Sequence, residues 1–133
     1  MASVDLKNNI KPLNALNIQS ISSNTTTNGV EIDSQGYDSV TFEILTGART
    51  DGTVTPLIQG TNTSGSGYVD VTDDFLLGTE AGAALSAAHS RSIIGAVASY
   101  RFYKISLVST SVTSGLTAGA SAILGSAKHN PVA

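Results

Sequence analysis

The chain has 133 residues, enough for one domain with a single buried core. Its net charge is −3 and its seven basic residues are scattered, which argues against a nucleic-acid-binding protein with a basic stripe. Charged residues make up only 13% of the chain against 41% hydrophobic ones, so we predict a folded domain rather than a disordered one. There is no cysteine, which excludes disulfides and cysteine-ligated metals.

The first fourteen residues contain charges, Asn and one Pro without periodicity, and we predict that residues 1–14 form an extended N-terminal arm. They include no apolar segment typical of a secretory signal, and no segment of the chain has the length of apolar sequence that a bilayer requires. We therefore expect a protein made in the cytoplasm, without a membrane partner. Residues 15–22 alternate and predict the first strand, and the Asn28-Gly29 turn is followed by a short strand over 29–34.

The clearest strand signal is residues 38–45, where Val40, Phe42 and Ile44 alternate with more polar positions. An Asp51-Gly52 turn then predicts a hairpin over 38–60. Because proline has no amide donor, Pro56 places the second strand of that hairpin at a sheet edge or a bulge. The Gly- and Ser-rich residues 63–67 predict a flexible loop, followed by a short strand near 68–71.

The Ala-rich residues 75–92 contain Gly78 and Gly82, so we predict at most one short helix near 81–88. A turn within 95–99 predicts a second hairpin, whose second strand, near 100–108, is apolar on both faces and therefore central in its sheet. A last strand near 115–125 precedes a C-terminal tail, 128–133. Seven or eight short strands with regular turn signals predict an all-β fold, a compact antiparallel β-sandwich or barrel formed by residues 15–127.

The histidines and carboxylates offer few arrangements for chemistry. A three-histidine zinc site is impossible with only His89 and His129, and His89 lies in a segment typical of a surface loop. Three carboxylates lie close together in the sequence, Asp70, Asp73 and Asp74, and are candidates for calcium binding. The favoured interpretation is instead that Asp73 or Asp74 caps a turn beginning at Phe75.

Two carboxylate pairs, Glu31 with Asp33 and Asp38 with Glu43, have the composition of a glycosidase pair, yet no aromatic groove accompanies them. Three tyrosines are candidates for an exposed stacking platform: Tyr37, Tyr68 and Tyr100. Tyrosine at a strand end is more often a residue at the rim of the core. We therefore predict no enzyme, no cofactor and no metal site. The chain contains 18 Ser and 15 Thr, and such weakly charged, hydroxyl-rich surfaces suit close contact with other proteins.

Four segments resemble small virion proteins of tailed bacteriophages. They are "IDSQGYDSVTFEILTGARTDGTVTPLIQGTN", "DDFLLGTEA", "SIIGAVASYRFYKISLVST" and "AILGSAKHNPV", and the likeness covers about residues 28–133. The chain departs from that family at residues 61–68, where "TNTSGSGY" replaces an acidic stretch, and at 101–104, where "RFYK" stands for "RY-R".

The resemblance implies a decoration (cement) or minor capsid protein on the exterior of the phage head. It implies a compact β domain, often a homotrimer, that binds the major capsid protein and stabilises junctions between capsomers. The family motifs mark no catalytic residues. The arm, with Lys7 and Lys11, is a candidate for contact with a neighbouring subunit, although a disordered start fits it equally well.

Two other functions stay open at this point. One is a head–tail connector or tail accessory protein of the same virion, with ring symmetry. The other is a carbohydrate-binding β-sandwich that uses Tyr37, Tyr68 and the Asp70–Asp74 loop.

Overall fold

The computed structural model describes residues 10–97 and 100–127, and this part of the chain contains ten β-strands and two 3-10 turns. The strands are β1 (Lys11–Ile21), β2 (Thr26–Asn28), β3 (Ile32–Asp33), β4 (Tyr37–Arg49), β5 (Thr53–Thr61), β6 (Val69–Asp70), β7 (Leu76–Leu77), β8 (Arg91–Val97), β9 (Phe102–Thr110) and β10 (Leu116–Ala127). The 3-10 turns are Asp73–Phe75 and Ala81–Ala83.

The strands form two antiparallel sheets. Sheet A has the order β1-β10-β4-β8-β7, and sheet B has the order β2-β9-β5-β6, with β3 also paired to β9. The all-β sandwich prediction is confirmed. Within the described ranges, no helix is long and apolar enough to cross a bilayer.

The core lies between the sheets and follows from the two-residue period of each strand. Val40, Phe42 and Ile44 of β4 are fully buried on one side, and Ile105 and Leu107 of β9 are fully buried on the other. Burial of each such side chain stabilises the fold by about 1.5–3 kcal/mol relative to exposure. The intervening residues of each strand therefore form the outer faces of the sandwich.

The predicted hairpin over 38–60 is wrong, because β4 lies in sheet A and β5 in sheet B. The Asp51-Gly52 reversal does occur, with Gly52 at a positive φ of 100°. The Asp51 carboxylate accepts hydrogen bonds from the amides of Thr113, Ser114 and Gly115 at 2.9–3.1 Å, which holds this reversal against the segment before β10. The two strands thus face each other across the core and bury the same apolar residues that a hairpin would have aligned side by side.

The second predicted hairpin is also wrong. Strand β8 belongs to sheet A and β9 to sheet B, and Gly95 lies inside β8 opposite Thr41 rather than in a turn. Residues 98 and 99 of the predicted turn lie outside the described ranges. The central position of β9 is confirmed, since it pairs with β5 on one side and with β2 and β3 on the other.

The last four residues of the predicted arm, 11–14, belong to strand β1. Lys11 to Asn14 pair with β10, and Leu13 packs against the core. The segment is therefore part of the folded domain, because it pairs with the edge of β10 and makes an apolar contact. Residues 1–9 of the predicted arm and the predicted tail, 128–133, lie outside the described ranges.

The predicted short helix is a single 3-10 turn, Ala81–Ala83. Its segment covers the edge of β5: the amide of Val54 donates to the carbonyl of Leu85 at 2.9 Å, and the amide of Ile58 donates to a Glu80 carboxylate oxygen at 2.7 Å. Pro56 lies between these two residues and has no amide to satisfy. Strand β5 is not an edge strand, because β6 pairs with it at Gln59 and Gly60, so the predicted edge position holds only for the stretch around Pro56. The turn at 73–75 ends at Phe75, where the sequence predicted that it would begin.

At the opposite edge the two sheets are joined through Gly29. Its amide donates to the Ile105 carbonyl in sheet B, and the amide of Val30 donates to the Ala15 carbonyl in sheet A, both at 2.8 Å. A Cβ at Gly29 would lie 2.3 Å and 2.5 Å from the carbonyl oxygens of Ala15 and Ile105. Only glycine allows this close approach of backbones.

Candidate functional site

Glu31 holds a loop through its exposed carboxylate. Its carboxylate accepts hydrogen bonds from the hydroxyls of Tyr68 and Ser64 and from the amide of Gly65, the last two at 2.7 and 2.8 Å. These three bonds, that from Tyr68 foremost, lower the pKa of the Glu31 carboxyl below its usual value. The loop that the sequence predicted to be flexible is therefore fixed to the segment between β2 and β3.

Asp33 forms a bidentate ion pair with Arg101. The guanidinium Nε and Nη2 donate to the two carboxylate oxygens at 3.2 and 3.1 Å. The Arg101 hydrogen bonds lower the pKa of the Asp33 carboxyl and raise that of the guanidinium. Each carboxylate of the first candidate pair is thus engaged with another side chain of the protein, Glu31 with Tyr68 and Asp33 with Arg101.

The other titratable candidates are dispersed. Glu43 forms an ion pair with Arg91, with an O–N distance of 3.5 Å, and Asp38 is an exposed residue near the start of the same strand. The Asp70 carboxylate accepts a hydrogen bond from the side-chain amide of Gln59 at 3.1 Å. His89 is exposed in a loop with a positive φ of 52°.

Three carboxylate or histidine side chains do not converge on a metal-binding geometry anywhere in residues 10–97 and 100–127. The side chain of Asp73 and the whole of His129 lie outside the described part of the chain.

Two of the three candidate tyrosines occupy positions at the rim of the core, as the sequence predicted, and the third, Tyr68, lies against polar side chains. Tyr37 and Tyr100 pack against the core, and Tyr100 also covers Gly60, where a Cβ would lie 2.5 Å from the ring. The Tyr68 ring is covered by the ammonium of Lys104, 4.6 Å from the ring centroid. Burial and the hydrogen bond to Glu31 raise the pKa of the Tyr68 hydroxyl. These three rings do not form one open stacking surface.

The outer face of sheet B is occupied by the chain's own polar side chains. The Glu31, Asp33 and Lys104 contacts described above lie over this face, and the Arg101 guanidinium stacks on the Phe102 ring at 4.8 Å. Ser106, at the middle of β9, is 1% exposed and donates to the Asn28 side-chain oxygen at 2.9 Å. Sheet B therefore presents several polar groups that are paired with other side chains of the protein, and one exposed apolar residue at its β6 edge, Val69.

The outer face of sheet A carries exposed apolar side chains instead. Ile93 is 60% exposed, Leu77 59%, Val97 45% and Leu45 37%. All four alternate with buried residues of β8, β7 and β4, so they point away from the core. Ile18, 70% exposed, covers Gly119 on the β1 side of the same face. We use "the apolar face" for the outward surface formed by Ile18, Leu45, Leu77, Ile93 and Val97.

A groove of about 270 Å³ opens at the end of sheet A. It is lined by Ser20, Ile21, Ser22, Ala48, Arg49, Thr50, Ser114, Gly115, Leu116 and Thr117. The Arg49 Nε donates to the Gly52 carbonyl at 2.8 Å, so this side chain helps to hold the turn between β4 and β5. The groove is polar and shallow and contains no carboxylate or histidine among these lining residues.

Sequence reasoning identified the carboxylates and tyrosines but missed the apolar face. The pattern of residues 91–97 places Ile93 and Ile94 next to each other, and the alternation alone does not state which of them is buried. The Glu31 contacts were missed as well, because they join residues that are 33 to 37 positions apart.

No protein-family model matches this chain, and no curated protein matches it. Among solved structures, the chain is similar to one titled "Crystal structure of SPBc2 prophage-derived protein YomS". The two are 12% identical over 88% of this chain and 93% of that chain, with a TM-score of 0.43. A likeness at this level identifies neither a function nor a partner for this chain.

Proposed function

We propose that this chain is a structural protein of a tailed-bacteriophage particle, a decoration (cement) or minor capsid protein on the exterior of the head. In this role it binds the major capsid protein, associates with further copies of itself, as a trimer by the resemblance, and stabilises the junctions between capsomers. The proposal assigns the chain no catalytic step, cofactor, nucleic-acid contact or membrane contact.

The observation that carries the proposal is the apolar face of sheet A. Exposed apolar side chains gathered on one face mark protein contact surfaces, because water is released when they are covered. The carboxylates that might have done chemistry are engaged in hydrogen bonds and ion pairs, as the Glu31 and Asp33 contacts illustrate. The resemblance of four segments to virion proteins supports placement of this contact surface in a phage particle.

Reinforcement of a capsid follows from repetition of a modest contact. A specific protein interface buries about 1,600 Å² in total, and each buried Å² of apolar surface contributes about 25 cal/mol. A decoration protein that bridges two capsomers adds this cohesion at every copy of the junction. The rise in rupture temperature of the particle then depends on the number of occupied junctions rather than on the strength of any one.

Fractionation of particles from the phage that encodes this chain tests the proposal. Purified heads, purified tails and complete particles are analysed by quantitative mass spectrometry against the major capsid protein. We expect the chain in the head fraction at many copies per particle, and heads stripped of it should rupture at a lower temperature until purified protein is added back.

Recovery at about a dozen copies or fewer, at the neck or with the tails, would instead identify a connector or tail accessory protein. Absence from all fractions would overturn the proposal. The carbohydrate-binding alternative has no support from the tyrosines, since Lys104 covers one side of the Tyr68 ring and Tyr100 packs on Gly60.

A further inference from the structure

We propose that the apolar face of sheet A is the surface through which copies of this chain bind one another. This inference rests on the self-association included in the proposed function and names a surface for it. Two copies that turn the same face inward form a closed two-fold pair, so the unit is a dimer rather than the trimer that the resemblance implies. The occupant of the face is accordingly a second copy of the chain, which turns the same face inward.

The shape of the face suits sheet-on-sheet packing. Strands β4 and β8 pair over seven positions, Ser39–Leu45 against Arg91–Val97, and β7 extends the sheet beside them. Small outward residues lower the surface between the exposed apolar ones: a Cβ at Gly95 would lie 3.2 Å from the Leu77 Cβ and 3.6 Å from the Thr41 hydroxyl. Sheet faces pack about 10 Å apart in β-sandwiches.

The area of the face reaches what a specific contact needs. Four strands about 4.8 Å wide, β1, β10, β4 and β8, cover about 19 Å, and seven residues of extended chain span about 23 Å, while the two-residue β7 adds a short strip beside them. Covering this rectangle on two copies buries roughly 1,000 Å² in total, the lower bound for a specific interface. The contact is thus expected to be of moderate strength, with dissociation measurable at micromolar concentrations.

The charges of the face favour a second copy over a strongly charged partner. Glu43 and Arg91 lie among the apolar residues and form an ion pair of 3.5 Å, with the Arg91 side chain 69% exposed. One acid and one base cancel, so the face offers no net attraction to a nucleic acid or to an anionic lipid surface. A second copy brings the same two groups, and a reversed orientation places Arg91 of one copy against Glu43 of the other.

The first test compares two lysine substitutions at exposed aliphatic positions. Ile93→Lys introduces a charge into the apolar face, whereas Val69→Lys introduces the same charge at an exposed residue of sheet B, 49% exposed against 60% for Ile93. We expect the wild-type chain and Val69→Lys to be oligomers by light scattering after gel filtration. Ile93→Lys should dissociate at least about 30-fold more readily, because an unpaired charge must be desolvated at the contact.

The second test exploits the ion pair and uses no apolar substitution. Arg91→Glu places two acids on the face and Glu43→Arg places two bases there, so each variant alone should be mostly monomeric. Mixing the two in equal amounts should restore the oligomer, with mixed species dominant in native mass spectrometry. Far-ultraviolet circular dichroism and melting curves confirm that each variant is folded.

Two results would overturn the inference. The first is a wild-type chain that is monomeric at concentrations of about 100 µM. The second is a wild-type oligomer that persists in Ile93→Lys, together with no recovery of oligomer when Arg91→Glu and Glu43→Arg are mixed. The particle fractionation tests the head-protein role independently of either result. An apolar face that binds heads but never another copy would be assigned to the capsid contact.

Discussion

The two outer faces of this sandwich are made by the same alternation of strand residues, yet they end as opposite kinds of surface. On sheet B several outward positions are engaged in ion pairs and hydrogen bonds with other parts of the chain, such as Asp33 with Arg101. On sheet A the outward positions include Ile93 and Leu77, more than half exposed. The difference teaches that the use of a β-face depends on which loops return to cover it, and the uncovered face is the one left for a partner.

Both faces belong to sheets that share one core, and Gly29→Ala should disrupt the close approach of the two sheets. The added methyl meets two backbone carbonyl oxygens closer than 2.6 Å, and neither can rotate away. We expect the free energy of unfolding to fall by about 3 kcal/mol, the upper part of the range for overpacking. Urea denaturation measures this loss.

Gly47→Ala is the matched control for that change. Its Cβ would make only ordinary contacts, at 3.5 Å and beyond with Thr117, and its φ is not in the left-handed region. Stability should stay equal or rise by about 0.5 kcal/mol, because alanine costs less conformational entropy than glycine within a strand. Equal losses of stability in both variants would contradict the close backbone contact between the sheets at Gly29.

Removal of one hydroxyl from each face sharpens the comparison. Ser106→Ala on sheet B deletes a buried donor to Asn28, and we expect a loss of about 1 kcal/mol in the free energy of unfolding. Ser121→Ala on sheet A removes a partly exposed hydroxyl, with an expected change within about 0.5 kcal/mol. Thermal and urea denaturation of the two variants give the difference, and an inverted order would show that the sheet A face is the one already covered.

The smallest expected effect is local and depends on pH. Because hydrogen bonds lower the folded-state pKa of Glu31 below its ordinary value of 4.5, its contribution to holding the 62–68 loop is complete above about pH 4.5. The contribution is lost as pH falls from there through the lowered pKa. The amide resonance of Gly65, followed by NMR during acid titration, should shift with a midpoint below 4.5.

Glu31→Gln serves as the control for that titration. The glutamine keeps the size of the side chain and removes its charge, so the Gly65 shift should lose this midpoint and its amide should exchange with solvent several-fold faster at neutral pH. A wild-type midpoint at or above 4.5 would mean that the loop is not held by the ionised carboxylate.

The sequence predicted the strands of this fold better than their partners. Alternation at Val40, Phe42 and Ile44 identifies β4 because one buried face imposes a period of two. The same alternation is satisfied whether the next strand lies beside β4 or across the core from it, so the hairpin over 38–60 was a wrong choice between two equally patterned arrangements. The Asp51-Gly52 pair specifies a reversal of the chain and not the sheet in which the chain continues.

The candidate site was predicted less well, for a physical reason. The roles of Glu31 and Asp33 are set by Tyr68 and Arg101, which the fold brings from distant positions, and no local pattern announces such contacts. The exposure of Ile93 depends on the absence of a covering loop over part of one face. The composition, low in charge and rich in Ser and Thr, did not indicate that charged side chains would gather over sheet B and apolar ones over sheet A.

The position of β10 has a consequence for how the protein is made. This strand inserts between β1 and β4, so two strands formed from the first 49 residues wait for a partner from residues 116–127. Pairings so distant in sequence raise the contact order and slow folding, since a long loop must close before any contact compensates for its entropy. On the ribosome, the growing chain therefore carries unpaired edges of β1 and β4 until residues 116–127 have been translated.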